Sequence, residues 1–224
     1  MFPDVHRAAQ RRYSILPVPK DLIPSTGESK AQILWVGCSD SWITETAALD
    51  VLPQETFVHR NLGSVMSNGD LSSASAIAYC VDLLEVKHIV VCGHYDCVLF
   101  KEASEAPTAI HGWYEDLSRL RAVNDALLPD LETIQRDRHL AEVYVQAEVE
   151  WLRSQPTVAK AIADRGLKVH AFVFNKEEEA CVRLVEVGGW VAEPNGGPNG
   201  GPNGGPNGGP NGVVAWEAGG VRER

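Results

Sequence analysis

The 224-residue chain has no apolar run approaching the roughly 18 residues a membrane-spanning helix requires, so no membrane span is expected. It also lacks an excess of basic charge. Thirty acidic against twenty basic side chains leave a net charge of -10, which argues against a nucleic-acid partner, because phosphate binding needs a basic face. The N-terminus has no apolar core of the kind that marks a secretory signal. Its Arg-rich start shares one feature with mitochondrial transit segments, but Asp4 and the short length oppose that reading. Cysteine is scarce and odd in number. Five residues without the spacing of a small disulfide scaffold point to a reducing, cytoplasmic setting with thiols serving as core or as ligands. Cys80, Cys92 and Cys181 lie in apolar surroundings and read as core.

What is present divides the chain into three parts: an N-terminal arm over 1–30, an α/β domain over 31–190 and a tail over 191–224. The tail repeats Pro-Asn-Gly-Gly from Pro194 to Gly212, a composition that builds no core and reads as a flexible tether. In the arm, residues 6–13 suit a short basic helix, and Pro17, Pro19 and Pro24 interrupt anything longer. Within the domain, apolar runs at 33–36, 56–60, 87–91 and 167–175 read as strands, with a further edge strand or turn over 180–187. Helices are expected from about 43 until Pro53 intervenes, over 73–84 with Asp70 or Ser72 as cap, and within the charged stretch 101–135. Two more are expected over 138–154 and over 157–164, the last closed by Gly166. In the long helix, Val143, Ala147 and Trp151 recur on one face, and Glu148 and Glu150 read as solvated charges. The fold class expected is α/β, a mostly parallel central sheet flanked by helices.

Two stretches share one grammar. Ile33-Leu34-Trp35-Val36 ends at Gly37 and is followed by Cys38-Ser39-Asp40-Ser41-Trp42. Ile89-Val90-Val91-Cys92 ends at Gly93 and is followed by His94-Tyr95-Asp96-Cys97. Short apolar runs bounded by glycine suit buried parallel strands, and open α/β sheets collect ligands beyond the carboxyl ends of their strands. If the two strands are neighbours, Cys38, Asp40, His94 and Cys97 converge. Two sulfurs with an imidazole select zinc over magnesium or calcium. Each half alone is also compatible with a buried thiol or a packed histidine. His59 and His88 read as packing residues, and aromatic packing is the reading for His111 and Trp113.

Residues 33–42 resemble the Cys-x-Asp-x-Arg motif of β-class carbonic anhydrases, and Gly93 to Cys97 resembles their His-x-x-Cys motif. Phe57-Val58-His59-Arg60-Asn61 is similar to the family's Val-x-Arg-Asn segment, and the likeness extends over about 30–190. The resemblance implies Zn2+ on Cys38, His94 and Cys97, with Asp40 either a fourth ligand or a base beside the metal. It makes Arg60 an active-site or interface residue. It also implies a homodimer or higher assembly acting on carbon dioxide and bicarbonate through hydroxide generated at zinc. The chain departs from the family at three places. Trp42 stands where the family has the arginine that holds the aspartate off zinc. Val98 and Leu99 stand where it usually has Gly-Gly, and Leu62-Gly63-Ser64 follows Asn61 in place of Ala-Asn. Trp42, Val98 and Leu99 are therefore expected to shape the pocket, narrowing or drying it and leaving Asp40 more often on zinc. Three functions are compatible with this pattern: carbon dioxide hydration, altered or weak; a zinc lyase or hydrolase acting on another small electrophile; and a non-catalytic protein with a closed zinc site.

Overall fold

The computed structural model of the chain describes residues 2, 4–101 and 112–187. The Pro-Asn-Gly-Gly tract and His111 lie outside them. A short helix α1 (Val5–Ala9) and strand β1 (Tyr13–Pro17) precede β2 (Ile33–Cys38), helix α2 (Glu45–Leu49) and β3 (Thr56–Asn61). Helix α3 (Leu71–Ala78), β4 (His88–His94), α4 (Val98–Lys101), α5 (Glu115–Leu127) and α6 (Thr133–Ser154) follow. The described chain closes with α7 (Pro156–Arg165), β5 (Lys168–Asn175) and β6 (Ala180–Glu186).

The strands form one sheet in the order β1-β6-β5-β4-β2-β3. Neighbours among β3, β2, β4 and β5 run parallel, while β6 is antiparallel to both β5 and β1. This is the α/β class read from the sequence. Every residue of β2 is buried, as is β4 from Ile89 onward, because helices and loops cover both faces. Leu34, Val36, Ile89 and Val91 face the larger core with α6, whereas Ile33, Trp35, Val90 and Cys92 face a smaller one with Leu49 and Phe172. Strand β4 lies hard against α6: a Cβ on Gly93 would stand 2.5 Å from Val145 Cγ2.

Local chemistry sets the helix limits. Asp70 caps α3 through the Ser73 amide, and the helix runs on into a π-turn over Tyr79–Leu83. Thr44 caps α2, which Asp50 ends in a left-handed conformation before Pro53 is reached. Gly166 closes α7 with φ 71°. The strand at Tyr13–Pro17 was not among the expected elements: the helix expected over 6–13 spans Val5–Ala9, and Tyr13 already belongs to the strand. It is an outer strand pairing only with β6, a position that tolerates Pro17. Ahead of it, α1 packs on α5 and α6, with Phe2 buried edge-on to Tyr144 at 5.8 Å.

Candidate metal centre

Parallel pairing of β2 with β4, Gly37 opposite Cys92, brings both strand ends to the same rim of the sheet. Cys38 closes β2 and His94 closes β4, and Cys97 sits just ahead of α4. All three are buried, and their donor atoms lie within 4.8 Å of one another. Among the described residues they are the one group of three or more potential ligands that converges in this way.

The geometry fits a tetrahedral, sulfur-preferring metal. The sulfurs of Cys38 and Cys97 are 3.9 Å apart, and two thiolates each about 2.3 Å from a tetrahedral zinc would be separated by about 3.8 Å. The Nδ1 of His94 lies 3.0 Å from the Tyr95 carbonyl oxygen. A carbonyl only accepts, so Nδ1 carries the proton and Nε2 carries the lone pair. That Nε2 is buried and has no hydrogen-bond partner, as expected of a nitrogen directed at a metal. The Cys38 sulfur accepts from the Asp40 amide at 3.4 Å and from the Gly63 amide at 3.2 Å. A hydrogen bond from Cys97, opposed by burial and reinforced by the neighbouring His94 ring and by these amides, pulls the Cys38 thiol down. Cys97 moves the other way, because it shares that hydrogen bond with Cys38 and is itself buried.

A carbonic anhydrase family model matches residues 33–180, a span that holds all three of these ligands. The chain belongs to the β-carbonic anhydrase family. It is 34% identical over 148 residues to a carbonic anhydrase of Candida albicans, covering 63% of this chain and 52% of that one. It is 30% identical to one of Pseudomonas aeruginosa, covering 72% and 77% respectively. The chain thus spans about half the length of the Candida relative. Among solved structures, the wild-type β-carbonic anhydrase CafD of Aspergillus fumigatus superposes with a TM-score of 0.67 at 30% identity, covering 77% of this chain and 100% of that one. A structure reported with two tetrameric β-carbonic anhydrases of Sordaria macrospora gives 0.65 at 34% identity, covering 70% and 82%.

The β-carbonic anhydrase frame shows where the other expected site residues fall. Asp40 stands beside the trio but outside it: Oδ2 is 4.0 Å from His94 Nε2 and accepts from the Val98 amide at 3.1 Å. Arg60 does not reach Asp40. Its guanidinium donates to the carbonyls of Cys38, Ser41 and Ile43 and pairs with Glu45 at 3.0 Å, so it pins the loop that follows β2. Trp42 is 66% exposed, with the Lys176 ammonium 5.2 Å from its ring centroid. Val98 is partly exposed, whereas Leu99 is buried against Gly63, which has φ +79°. His59 bonds Ser73 at 3.0 Å and His88 stacks on His170; neither joins the ligand group.

The reading of Glu148 as a solvated charge is wrong. Glu148 is 0% exposed and accepts from the Met66 amide, the Ser67 amide and the Ser67 hydroxyl. Burial raises its carboxyl to about 7 against those hydrogen bonds. Glu142, on the same helix, is also buried and accepts from the hydroxyls of Tyr13 at 2.7 Å and Tyr95 at 2.6 Å. Tyr95 is the residue whose carbonyl fixes the His94 ring. Glu150 alone of the three reaches solvent, paired with Arg7 and Arg11. The missed signal was Leu140-Ala141-Glu142-Val143-Tyr144-Val145-Gln146-Ala147-Glu148-Val149. Its apolar residues go all round the helix, and a helix apolar all round is buried together with its polar residues.

Proposed function

We propose that the chain is a zinc-dependent lyase catalysing the reversible hydration of carbon dioxide to bicarbonate. The observation that carries this reading is the convergence of Cys38, His94 and Cys97 with His94 Nε2 buried and unpartnered. Two thiolates and a neutral imidazole would hold Zn2+, which makes hydroxide available near neutral pH. The chain's own residues supply the rest. The Tyr95 carbonyl keeps His94 in the ligating tautomer. The amides of Asp40 and Gly63 spread the charge on the Cys38 sulfur. The Val98 amide takes Asp40 Oδ2. The Asp40 carboxylate, with Oδ2 4.0 Å from His94 Nε2, is the base nearest the metal site. Leu99 and Gly63 form an apolar wall close to Cys38 that suits an uncharged substrate.

The two assignments of Asp40 meet at Trp42. An indole offers one N–H and no charge, so nothing at position 42 holds the carboxylate away from a metal as a guanidinium would. We therefore place Asp40 on zinc for part of the time and expect a slow hydratase. The decisive assay is stopped-flow carbon dioxide hydration by zinc-loaded chain. Catalysis that a chelator abolishes and zinc restores supports the reading; a rate equal to buffer at full zinc occupancy contradicts it.

The assembly we propose is a homodimer or a larger homo-oligomer. Strand β3 ends the sheet, and Val58, Leu62, Leu71, Tyr79 and Leu83 on or near it are exposed apolar side chains, a surface suited to a second copy of the chain. Light scattering on purified protein tests this: a mass near 24.4 kDa contradicts it. Five free thiols favour a reducing, cytoplasmic location, which fractionation of the source cell would check.

A further inference from the structure

The geometry points to Glu148 as a positioning residue for the metal site, acting through residues 62–67 to set the hydrogen bond from the Gly63 amide to the Cys38 sulfur. This inference rests on the metal reading above. Each partner of Glu148 is an uncharged donor: the Met66 amide, the Ser67 amide and hydroxyl, and the Tyr144 hydroxyl. A carboxylate buried without a cation costs several kcal/mol relative to an apolar residue, so packing alone does not account for it at the centre of α6. It faces one end of a short turn tied down at its other end too. Asn61 bonds Val65 in both directions, at 2.8 and 2.6 Å, and the Ser64 hydroxyl donates to the Cys92 carbonyl at 3.0 Å. Between these anchors Gly63, at φ +79°, aims its N–H at Cys38 Sγ 3.2 Å away.

An N–H···S bond withdraws charge from a thiolate and so sets how strongly it donates to a metal. The strength of such a bond depends steeply on distance and angle. A residue that fixes the turn therefore adjusts the metal without touching it. Glu142 stands in the same relation to His94 through Tyr95, so one helix backs both halves of the site.

The test uses the full chain loaded with Co2+, whose sulfur-to-cobalt charge-transfer band reports thiolate donation. Glu148→Gln keeps the volume but turns an NH2 group toward donors. The expected result is a displaced band and metal binding weaker by about 10-fold or more in chelator competition, the scale seen for partners of metal ligands. Glu55→Gln is the control. Glu55 is equally buried but serves Ser25, Thr26, Gly27 and Leu52 just before β3, at the end of that strand away from the metal. It should lower stability and leave band and affinity in place. Should Glu148→Gln fail to fold, Ser67→Ala decides: it removes one bond and should move the band in the same direction by less. Band and affinity unchanged in the deciding variant, or moved as far by Glu55→Gln, overturn the proposal. A parent chain with no thiolate band at all contradicts the metal reading, and the proposal falls with it.

Discussion

The back and the mouth of the metal centre are built differently. At the back, Cys38, His94 and Cys97 are buried and oriented by backbone groups, with Glu142 and Glu148 of α6 behind them. At the mouth, Trp42 is exposed, Val98 partly so, and Asp40 has its side chain 39% accessible. The departures from the family motifs at Trp42 and Val98 lie at the mouth, while the ligands they surround are kept. The back therefore determines whether a metal is held, and the mouth determines how fast chemistry proceeds once it is.

That division is broken or sharpened by graded substitutions. The largest effect belongs to the ligands. His94→Ala should abolish metal binding and lower hydration at least about 1,000-fold, as loss of a metal's whole contribution requires; metal analysis beside the kinetic assay checks it. Next is the packing behind them. Gly93→Ala drives a Cβ into Val145 and should cost about 1–3 kcal/mol in urea unfolding, with a loss of metal affinity.

The two buried carboxylates at 148 and 55 give opposite pH responses. Glu148 has a folded value of about 7 against 4.5 unfolded, so the native state binds the extra proton between them. Its contribution is fully present below 4.5 and is lost as pH rises through 7, on the order of 3 kcal/mol. At Glu55 burial acts to raise the carboxyl, but hydrogen bonds from Ser25, Leu52 and Thr26 win and hold it at about 2. Its contribution is present above 4.5 and is lost as pH falls toward 2. Half-buried His88, His139 and His170, lowered chiefly by desolvation to about 4, also weaken the fold as pH falls below 6.5. The Glu148 contribution is therefore read as a difference: Glu148→Gln should remove a component that favours pH 5 over pH 8 in urea unfolding. An identical pH slope in parent and variant contradicts it.

Smaller effects are expected at the mouth. Trp42→Arg should raise hydration several-fold by giving Asp40 a charged partner, while stability stays within about 0.5 kcal/mol, as for other surface changes. An unchanged or lower rate places the limit elsewhere. Smallest is Lys176→Ala, which removes an exposed cation–π contact with Trp42 worth about 0.5–1 kcal/mol and should leave metal affinity untouched.

The sequence made the ligand trio and the parallel sheet legible for one reason. Soft donors directly after two apolar, glycine-ended runs have few other uses, and strand adjacency then brings them together. Strand β1 was not legible, because Pro17 argues against a strand unless its outer position is known. Glu148 was missed because a single stripe of Val143, Ala147 and Trp151 was followed along α6, when every residue from Leu140 to Val149 is buried and the apolar ones lie all round the helix. The sequence marked Arg60 only through its family motif; its hold on the carbonyls of Cys38, Ser41 and Ile43 depends on a loop path that spacing does not encode.

The most direct test of the central claim is X-ray absorption at the zinc edge on purified, reduced protein, together with zinc content per chain. The account predicts one zinc per chain with two sulfur neighbours at about 2.3 Å and one imidazole nitrogen at about 2.0 Å. A chain free of zinc, or zinc bound only by nitrogen and oxygen, would contradict it.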